Sequence, residues 1–230
     1  MDKLLKIFNN LKQRYKPIEK APTIQKVAIF GFADAKKEDK VYEDAYKVAY
    51  LLAKAGYVVV DGGGPGVMQA ASKGAKMGGG HVIGVTLHPK DEIANFEGRD
   101  QDNPIDEEIK TTSYIQRTLT LMQQGQVYVI FNGASGTISE FGMAWGLARI
   151  YFGHHKPLIL YGKFWKSIMN SFKRNLMLRP EEGKVYKIVT KPEEVLQAIK
   201  QFEKEIEAGE HEHLKTSTRN EPEAATDYMN

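Results

Sequence analysis

The feature that most limits the possible folds is an arrangement that occurs twice: a short apolar run, a turn of small residues and then a helical pattern. The first example is the run YVVV at 57–60, which leads into three consecutive glycines at 62–64. The second is the run VYVIF at 127–131, which leads into the small residues at 132–136. Short apolar runs bounded by turns are typical of buried parallel strands, and their alternation with helices indicates βαβ units. We therefore predict an α/β fold with a mostly parallel central sheet and helices on both faces.

Both turns are expected at the carboxyl ends of their strands, where parallel sheets bind ligands. The start of a helix leaves its first N–H groups free and carries partial positive charge, so either turn suits a phosphate. The second turn also offers the hydroxyls of Ser135 and Thr137, which makes it the better candidate for an anion site. A structural alternative stays open, because residues 137–140 fit the T-x-x-E capping box, in which Glu140 only closes the helix start. The glycines at 62–64 fit the close approach of either a ligand or a second backbone.

The rest of the chain is predicted as further strands and helices around the same core. Strands are predicted at 26–30, 81–86, 156–161 and 185–190, and helices at positions that include 45–52, 115–122, 164–176 and 192–206. The helix at 115–122 is expected to bury Ile115, Leu119 and Met122. The polar and acidic stretch 89–110 is predicted to be a loop over the ligand-binding edge.

The two ends of the chain differ from this core. An amphipathic helix is predicted at the N-terminus, with Leu4, Phe8, Leu11 and Tyr15 on one face. Packing of that helix on the domain or on a partner subunit is favoured over binding to a membrane. We predict a single domain over residues 1–206 and a charged, disordered tail over residues 207–230.

Composition and motif spacing exclude several functions. The 230 residues include no cysteine, and the six histidines lack a metal-ligand pattern, so no disulfide, thiol chemistry or metal site is expected. There is neither an apolar run of about 18 residues nor a signal-peptide pattern, which indicates a cytoplasmic protein without a membrane partner. The net charge of +3 at pH 7 is too small to argue for nucleic acid. Neither the G-x-G-x-x-G spacing nor a Walker A lysine occurs at the two turns.

The two turns resemble the signatures of the Lonely-Guy (LOG) proteins, Rossmann-like nucleotide phosphoribohydrolases that are often mislabelled as lysine decarboxylases. The segment GGGPGVM at 62–68 matches their GGG-x-x-GLM, and GGGHVIGV at 78–85 continues the match. The segment NGASGTISE at 132–140 matches PGG-x-GT-x-x-E, with Asn132 in place of the proline and Ala134 in place of the second glycine. In the preceding helix Arg117 matches the arginine of M-H-x-R-K, whereas Ile115 and Thr118 replace the histidine and the lysine.

The resemblance implies a three-layer Rossmann-like fold. It also implies hydrolysis of the N-glycosidic bond of a nucleoside 5′-monophosphate, with a cytokinin or an ordinary base, to free base and ribose 5-phosphate. It implies catalytic roles for Arg117 and Glu140. The implied phosphate-binding residues are Gly133, Ala134, Ser135, Gly136 and Thr137. The implied nucleotide-binding residues on the other side of the cleft are Gly62, Gly63, Gly64 and Met68. No cofactor and no metal are implied, and the chain is expected to form a homodimer or a higher homo-oligomer.

Two alternative functions are considered together with this one. Related proteins with the same sheet and glycine turns carry molybdenum cofactor, so a non-catalytic carrier of a nucleotide or of that cofactor is the alternative. DNA-processing proteins share the core as well. The small net charge and the acidic stretch 97–108 argue against a nucleic-acid partner.

Overall fold

The computed structural model describes residues 24–89, 98–150 and 157–207. Within them lies a seven-stranded sheet in the order β4-β3-β2-β1-β5-β6-β7, and every neighbouring pair is parallel. The strands are β1 (Lys26–Phe30), β2 (Val58–Asp61), β3 (Val82–Leu87), β4 (Glu107–Thr111), β5 (Val127–Ile130), β6 (Leu158–Tyr161) and β7 (Tyr186–Val189). The helices are α1 (Lys40–Lys54), α2 (Val67–Met77), α3 (Tyr114–Gln124), α4 (Ser135–Ile150), α5 (Phe164–Asn175) and α6 (Pro192–Glu207). The predicted α/β fold with a parallel sheet is confirmed.

The core has two halves, one on each face of the sheet. On one face, strand residues such as Val27 and Ile29 pack against α1, α2 and α6. On the other face, the alternate residues Ala28 and Phe30 pack against α3, α4 and α5. Successive side chains of a strand point to opposite faces, so a strand covered on both sides is apolar along its whole length. This explains why the central strands could be recognised as continuous apolar runs.

The order of the strands places a ligand-binding crevice at the centre of the sheet. Strand β1 pairs with β2 on one side and with β5 on the other. The chain builds β2, β3 and β4 outward in one direction and then returns to build β5, β6 and β7 in the other. Ligands of open parallel sheets bind outside the carboxyl ends of the strands at such a reversal. Here that point lies between the ends of β1 and β5.

Strand β4 corrects one sequence prediction. The stretch 89–110 was expected to be a loop, but Glu107–Thr111 pairs in parallel with β3 at the edge of the sheet. Its sequence, EEIKT, has no apolar run, and only Thr111 is buried. An edge strand joins the sheet through backbone hydrogen bonds on one side, so its side chains need not be apolar. No helix in the described part of the chain is long and apolar enough to cross a membrane.

The buried side of α3 differs from the expected one. Ile115, which was predicted to lie in the core, is 64% exposed. The buried residues of this helix are Arg117, Thr118, Leu121 and Met122. The first turn of α3 lies at the carboxyl ends of the strands, where it turns polar side chains inward. The predicted N-terminal helix and the predicted C-terminal tail from 208 onward lie outside the described residues.

Candidate functional site

The turn after β5 leads directly into α4, as the sequence predicts. Helix α4 begins at Ser135, and the N–H of Ile138 donates to the carbonyl of Ala134 over 3.0 Å. Ala134 is therefore the residue that caps the helix, and Thr137 already lies inside the first turn. The capping-box alternative for residues 137–140 is wrong by this register, because it needs Thr137 at the cap itself. Ala134, Ser135 and Gly136 are exposed at this helix start.

The turn is held tightly by Gly133 and by strand β1. A β-carbon on Gly133 would lie 2.2 Å from the hydroxyl oxygen of Thr137, whose side chain is buried. Only glycine lets the chain fold back this closely over Thr137. On the other side of the turn, the carbonyl of Asn132 accepts a hydrogen bond from the N–H of Phe32 over 2.9 Å. The position of the turn is thus fixed relative to β1, with its outer side open to solvent.

Glu140 lies one helical turn beyond this helix start and is only 8% exposed. Its neighbour Phe141 is in the core that α4 forms with the sheet. A carboxylate is seldom buried to this extent in a protein. Because it does not serve the capping box, its burial beside an exposed helix start makes it a candidate for chemistry.

Arg117 fastens α3 across the ends of two strands. Its guanidinium donates from Nε to the carbonyl of Val85 and from Nη2 to the carbonyl of Gly62, each over 3.0 Å. The same Nη2 lies 3.5 Å from the sulfur of Met68. The side chain is 7% exposed, so the positive charge sits inside the wall of the cleft rather than on its surface.

The glycines after β2 are buried, and protein atoms fill the space that side chains would take. A β-carbon would lie 1.8 Å from Nη2 of Arg117 at Gly62, 2.5 Å from the methyl of Thr86 at Gly63, and 2.5 Å from the methyl of Met68 at Gly64. Gly63 also has a positive φ of 70°. Side chains, rather than the ligand or second backbone expected from the sequence, therefore account for the small size of all three residues. A role of these glycines and Met68 in binding a nucleotide stays a prediction.

Asp61, the last residue of β2, is a buried polar residue that the sequence analysis passed over. Its Oδ1 accepts the N–H of Gly63 over 2.7 Å and its Oδ2 accepts the hydroxyl of Ser72 over 2.5 Å. Burial raises the pKa of Asp61 to about 6, against the opposing effect of these hydrogen bonds and of the charge on Arg117. An aspartate directly before a glycine run at a strand end is the signal that could have identified it.

The loop at 98–105 covers the glycine turn. The N–H of Asp100 donates to the carbonyl of Gly63 over 3.0 Å, and the side-chain amide of Asn103 donates to the carbonyl of Gly64 over 2.9 Å. The part of the predicted loop that the structure describes, from residue 98 to the start of β4, therefore lies over this edge as expected. This loop shields the glycine turn from solvent. The turn after β5 is therefore the more solvent-exposed of the two turns.

A second contact missing from the sequence analysis joins α3 and α4. The hydroxyl of Tyr114 hydrogen-bonds to the hydroxyl of Ser139, and Ser139 also donates to the carbonyl of Gly136 over 2.9 Å. Arg117 lies one turn along α3 from Tyr114, and Glu140 follows Ser139. The structure therefore brings Arg117, Glu140, the glycine turn and the small-residue turn to one edge of the sheet. No group of three or more possible metal-binding side chains occurs among the described residues.

The family model described as the SLOG cluster4 family matches residues 24–185, which is more than half of the chain. The chain belongs to the SLOG cluster4 family. The match begins just before β1 and ends just before β7, so this family domain contains both turns, Arg117 and Glu140.

One curated relative of this SLOG cluster4 chain agrees with the LOG resemblance, and two solved structures share its fold. A probable cytokinin riboside 5′-monophosphate phosphoribohydrolase of Oryza sativa subsp. japonica is 26% identical over 192 residues, covering 77% of this chain and 73% of the relative. The molybdenum cofactor binding protein of Rippkaea orientalis is 23% identical with a TM-score of 0.58, covering 78% and 97%. DNA processing protein A of Helicobacter pylori, described as binding single-stranded DNA, is 19% identical with a TM-score of 0.53, covering 78% and 82%. The two solved structures are too distant to show more than the shared fold.

Proposed function

We propose that this protein is a nucleoside 5′-monophosphate phosphoribohydrolase, which uses water to cleave the N-glycosidic bond and release a free base and ribose 5-phosphate. The observation that carries the proposal is the buried carboxylate of Glu140, one helical turn beyond the exposed helix start at Ala134–Gly136. The match of this segment to the LOG signature and the likeness to the rice relative support it. The substrate class is a 5′-monophosphate; neither a cytokinin nor an ordinary base is preferred.

The phosphate is expected to bind at the start of α4. The N–H groups at the beginning of a helix have no acceptor within the helix and carry partial positive charge. The side chains at this helix start are small, so a phosphate can approach the backbone closely. The residues concerned are Gly133, Ala134, Ser135, Gly136 and Thr137. A phosphate bound there would place the ribose over the helix beside Glu140, one turn beyond the helix start.

Glu140 is proposed to act on the sugar. As the bond from C1′ to the base breaks, its electron pair leaves with the base and positive charge develops on the ribose. A carboxylate in a poorly solvated position stabilises that charge more strongly than one in water. The same group can accept a proton from the water that attacks C1′, while the departing base takes up a proton from solvent and the carboxyl later returns its own proton to solvent. Arg117, held by the carbonyls of Val85 and Gly62, positions the substrate or Glu140 by charge-assisted hydrogen bonds.

The decisive experiment measures free base and ribose 5-phosphate after incubation with a panel of purine, pyrimidine and cytokinin monophosphates. We expect release from at least one of them. Glu140→Gln keeps the shape of the side chain and is expected to lower turnover by about 100- to 10,000-fold, with nucleotide affinity largely kept. Glu43→Gln, which alters an exposed carboxylate on α1, is the matched control and should leave the rate unchanged. A folded protein that releases no base from any member of the panel refutes the proposal.

A non-catalytic carrier of a nucleotide or of molybdenum cofactor is the second candidate. The bonds of Arg117 to two backbone carbonyls fit this candidate as well as the first, since a purely structural arginine would make the same bonds. The replacement of the signature proline and glycine by Asn132 and Ala134 also alters the turn that binds phosphate in the catalytic proposal. Mass spectrometry of small molecules that co-purify with the protein separates the two candidates. A bound ligand without any turnover supports the carrier.

The remaining expectations follow from the composition of the chain and from the resemblance. The protein is proposed to be cytoplasmic and to act as a homodimer or a higher homo-oligomer. Nucleic acid is not expected as a partner, because the net charge of +3 would supply little counterion release from a phosphate backbone.

A further inference from the structure

Phe32 and Tyr114 are the two most exposed aromatic side chains in the described part of the chain, at 37% and 40%. A single exposed aromatic ring needs no explanation on a protein surface. These two, however, border the same turn. The N–H of Phe32 donates to the carbonyl of Asn132, and the hydroxyl of Tyr114 bonds to Ser139 in the first turns of α4. The aromatic surface that the fold leaves open is therefore concentrated beside the proposed phosphate site.

The backbone of Phe32 is fixed from two sides. On the side opposite Asn132, its carbonyl accepts the N–H of Val67 at the start of α2 over 3.0 Å. Gly66, with a φ of 64°, allows this approach, because a β-carbon there would lie 2.4 Å from the same carbonyl oxygen. Phe32 thus follows β1 at the point where the strand order reverses, and it cannot withdraw without breaking both bonds. Neither hydrophobic half of the core contains its side chain.

The two aromatic residues offer different contacts. The hydroxyl of Tyr114 is engaged by Ser139, so this ring is tied to α4. Phe32 has no polar group, so the contact it can offer is its apolar ring. Aromatic rings bind planar bases by stacking, which tolerates different bases because each has a π-face.

We propose that Phe32 is the stacking surface for the base of the bound nucleotide, so that the site recognises a phosphate at the start of α4 and a planar ring at the end of β1. This inference rests on the proposed function for the class of ligand. It adds a residue that lies outside both LOG signatures in this chain. It also predicts a preference for purine over pyrimidine monophosphates, because the larger ring covers more of the phenyl face.

The test compares ligands with and without a base, in a Glu140→Gln background so that the nucleotide is not consumed. Isothermal titration calorimetry measures the affinities for AMP and for ribose 5-phosphate. Phe32→Ala is expected to weaken AMP binding by about 5- to 150-fold, the range for loss of one base–aromatic stack, and to leave ribose 5-phosphate binding unchanged. Phe32→Trp should restore AMP affinity. Phe32→Leu, which keeps apolar bulk but has no π-face, should not restore it fully.

Met177→Ala is the matched control, because Met177 is fully exposed just beyond the end of α5, at the opposite edge of the sheet. It should change neither affinity. Equal losses of AMP and ribose 5-phosphate binding in Phe32→Ala would show that only the turn was disturbed, and this overturns the inference. AMP affinity that is unchanged in Phe32→Ala, or fully restored by leucine, overturns it too, as does a parent protein that binds no AMP.

Failure of the proposed function is distinguishable from failure of this inference. If the unmutated protein hydrolyses no nucleotide but Phe32 still governs AMP affinity, the hydrolase proposal fails and the stacking site stands. If hydrolysis occurs and AMP affinity does not depend on Phe32, the reverse holds.

Discussion

Asp61, Arg117 and Glu140 are ionisable side chains that this fold buries at one edge of its sheet. Asp61 and Arg117 are tied to the same glycine turn, Asp61 through the N–H of Gly63 and Arg117 through the carbonyl of Gly62. Their opposite charges are therefore held on either side of one short segment. Glu140 lies on the other helix of the cleft. Single substitutions at these three residues therefore test the electrostatics of the cleft directly.

The pH dependence of stability is the first such test. The pKa of Asp61 is raised in the folded protein to about 6 from its ordinary value of 3.8, chiefly by burial. The folded state therefore binds more protons than the unfolded state between these pH values. Stability should fall as pH rises through this window, by about 3 kcal/mol for a shift of about two pKa units. The other carboxylates in the described chain with shifted pKa values, such as Asp106 and Glu108, are lowered and act in the opposite direction.

The comparison of the protein with Asp61→Asn isolates this effect. An amide can still accept from Gly63 and can donate to Ser72, but it does not titrate. Urea denaturation at pH 4, 5, 6 and 7 should show the unmutated protein losing stability relative to the variant as pH rises. A constant difference between the two across this range would contradict a raised pKa at Asp61.

At the level of elements, the sequence predicts the strands and helices whose apolar residues recur at regular spacing. Five strands were recognised because both of their faces are covered, and β7 because its sequence is still largely apolar at its edge of the sheet. The two turns were recognised by their small residues. Strand β4 was missed because it pairs through its backbone at an exposed edge. Three contacts at the site join segments far apart in sequence, so local sequence patterns could not predict them. They are those of Tyr114 with Ser139, of Arg117 with the glycine turn and of Asn103 with Gly64. The capping box failed through a register shift of three residues, which only the position of the first helical hydrogen bond reveals.

The packing of α3 on the glycine turn yields a prediction for Gly62. A β-carbon at this position would overlap the guanidinium of Arg117 and lie 2.8 Å from the sulfur of Met68. Gly62→Ala should therefore displace Arg117, lower the free energy of unfolding by about 1–3 kcal/mol as other overpacked sites do, and reduce turnover. Gly183→Ala is the control, since its nearest neighbour outside the adjoining chain would be 3.8 Å away. Equal stability of the two variants by chemical denaturation would mean that Arg117 moves aside at no cost.

At the scale of the whole molecule, the outer side of α4 carries a row of small and apolar residues. Gly142 and Gly146 lie one turn apart on this side, with open space where a β-carbon would stand, and Ile138 and Ile150 continue the row with 45% and 66% exposure. Two glycines inside a helix each cost about 0.5–1 kcal/mol relative to alanine. That cost is offset if another backbone packs closely on them. The homodimer expected from the LOG resemblance would do so, with the same face of both copies in contact across a two-fold axis.

Gly146→Arg tests this arrangement, because a long charged side chain would separate two helices that meet at this row. We expect sedimentation equilibrium to give a dimer for the unmutated protein and a monomer for the variant. The monomeric variant should stay folded, since the added side chain points into open space within its own chain. Gln201→Arg, on the exposed side of α6, adds the same charge elsewhere and should leave the dimer intact. A dimer that survives Gly146→Arg unchanged would place the interface on another face. A monomeric unmutated protein would leave the two glycines of α4 without this explanation.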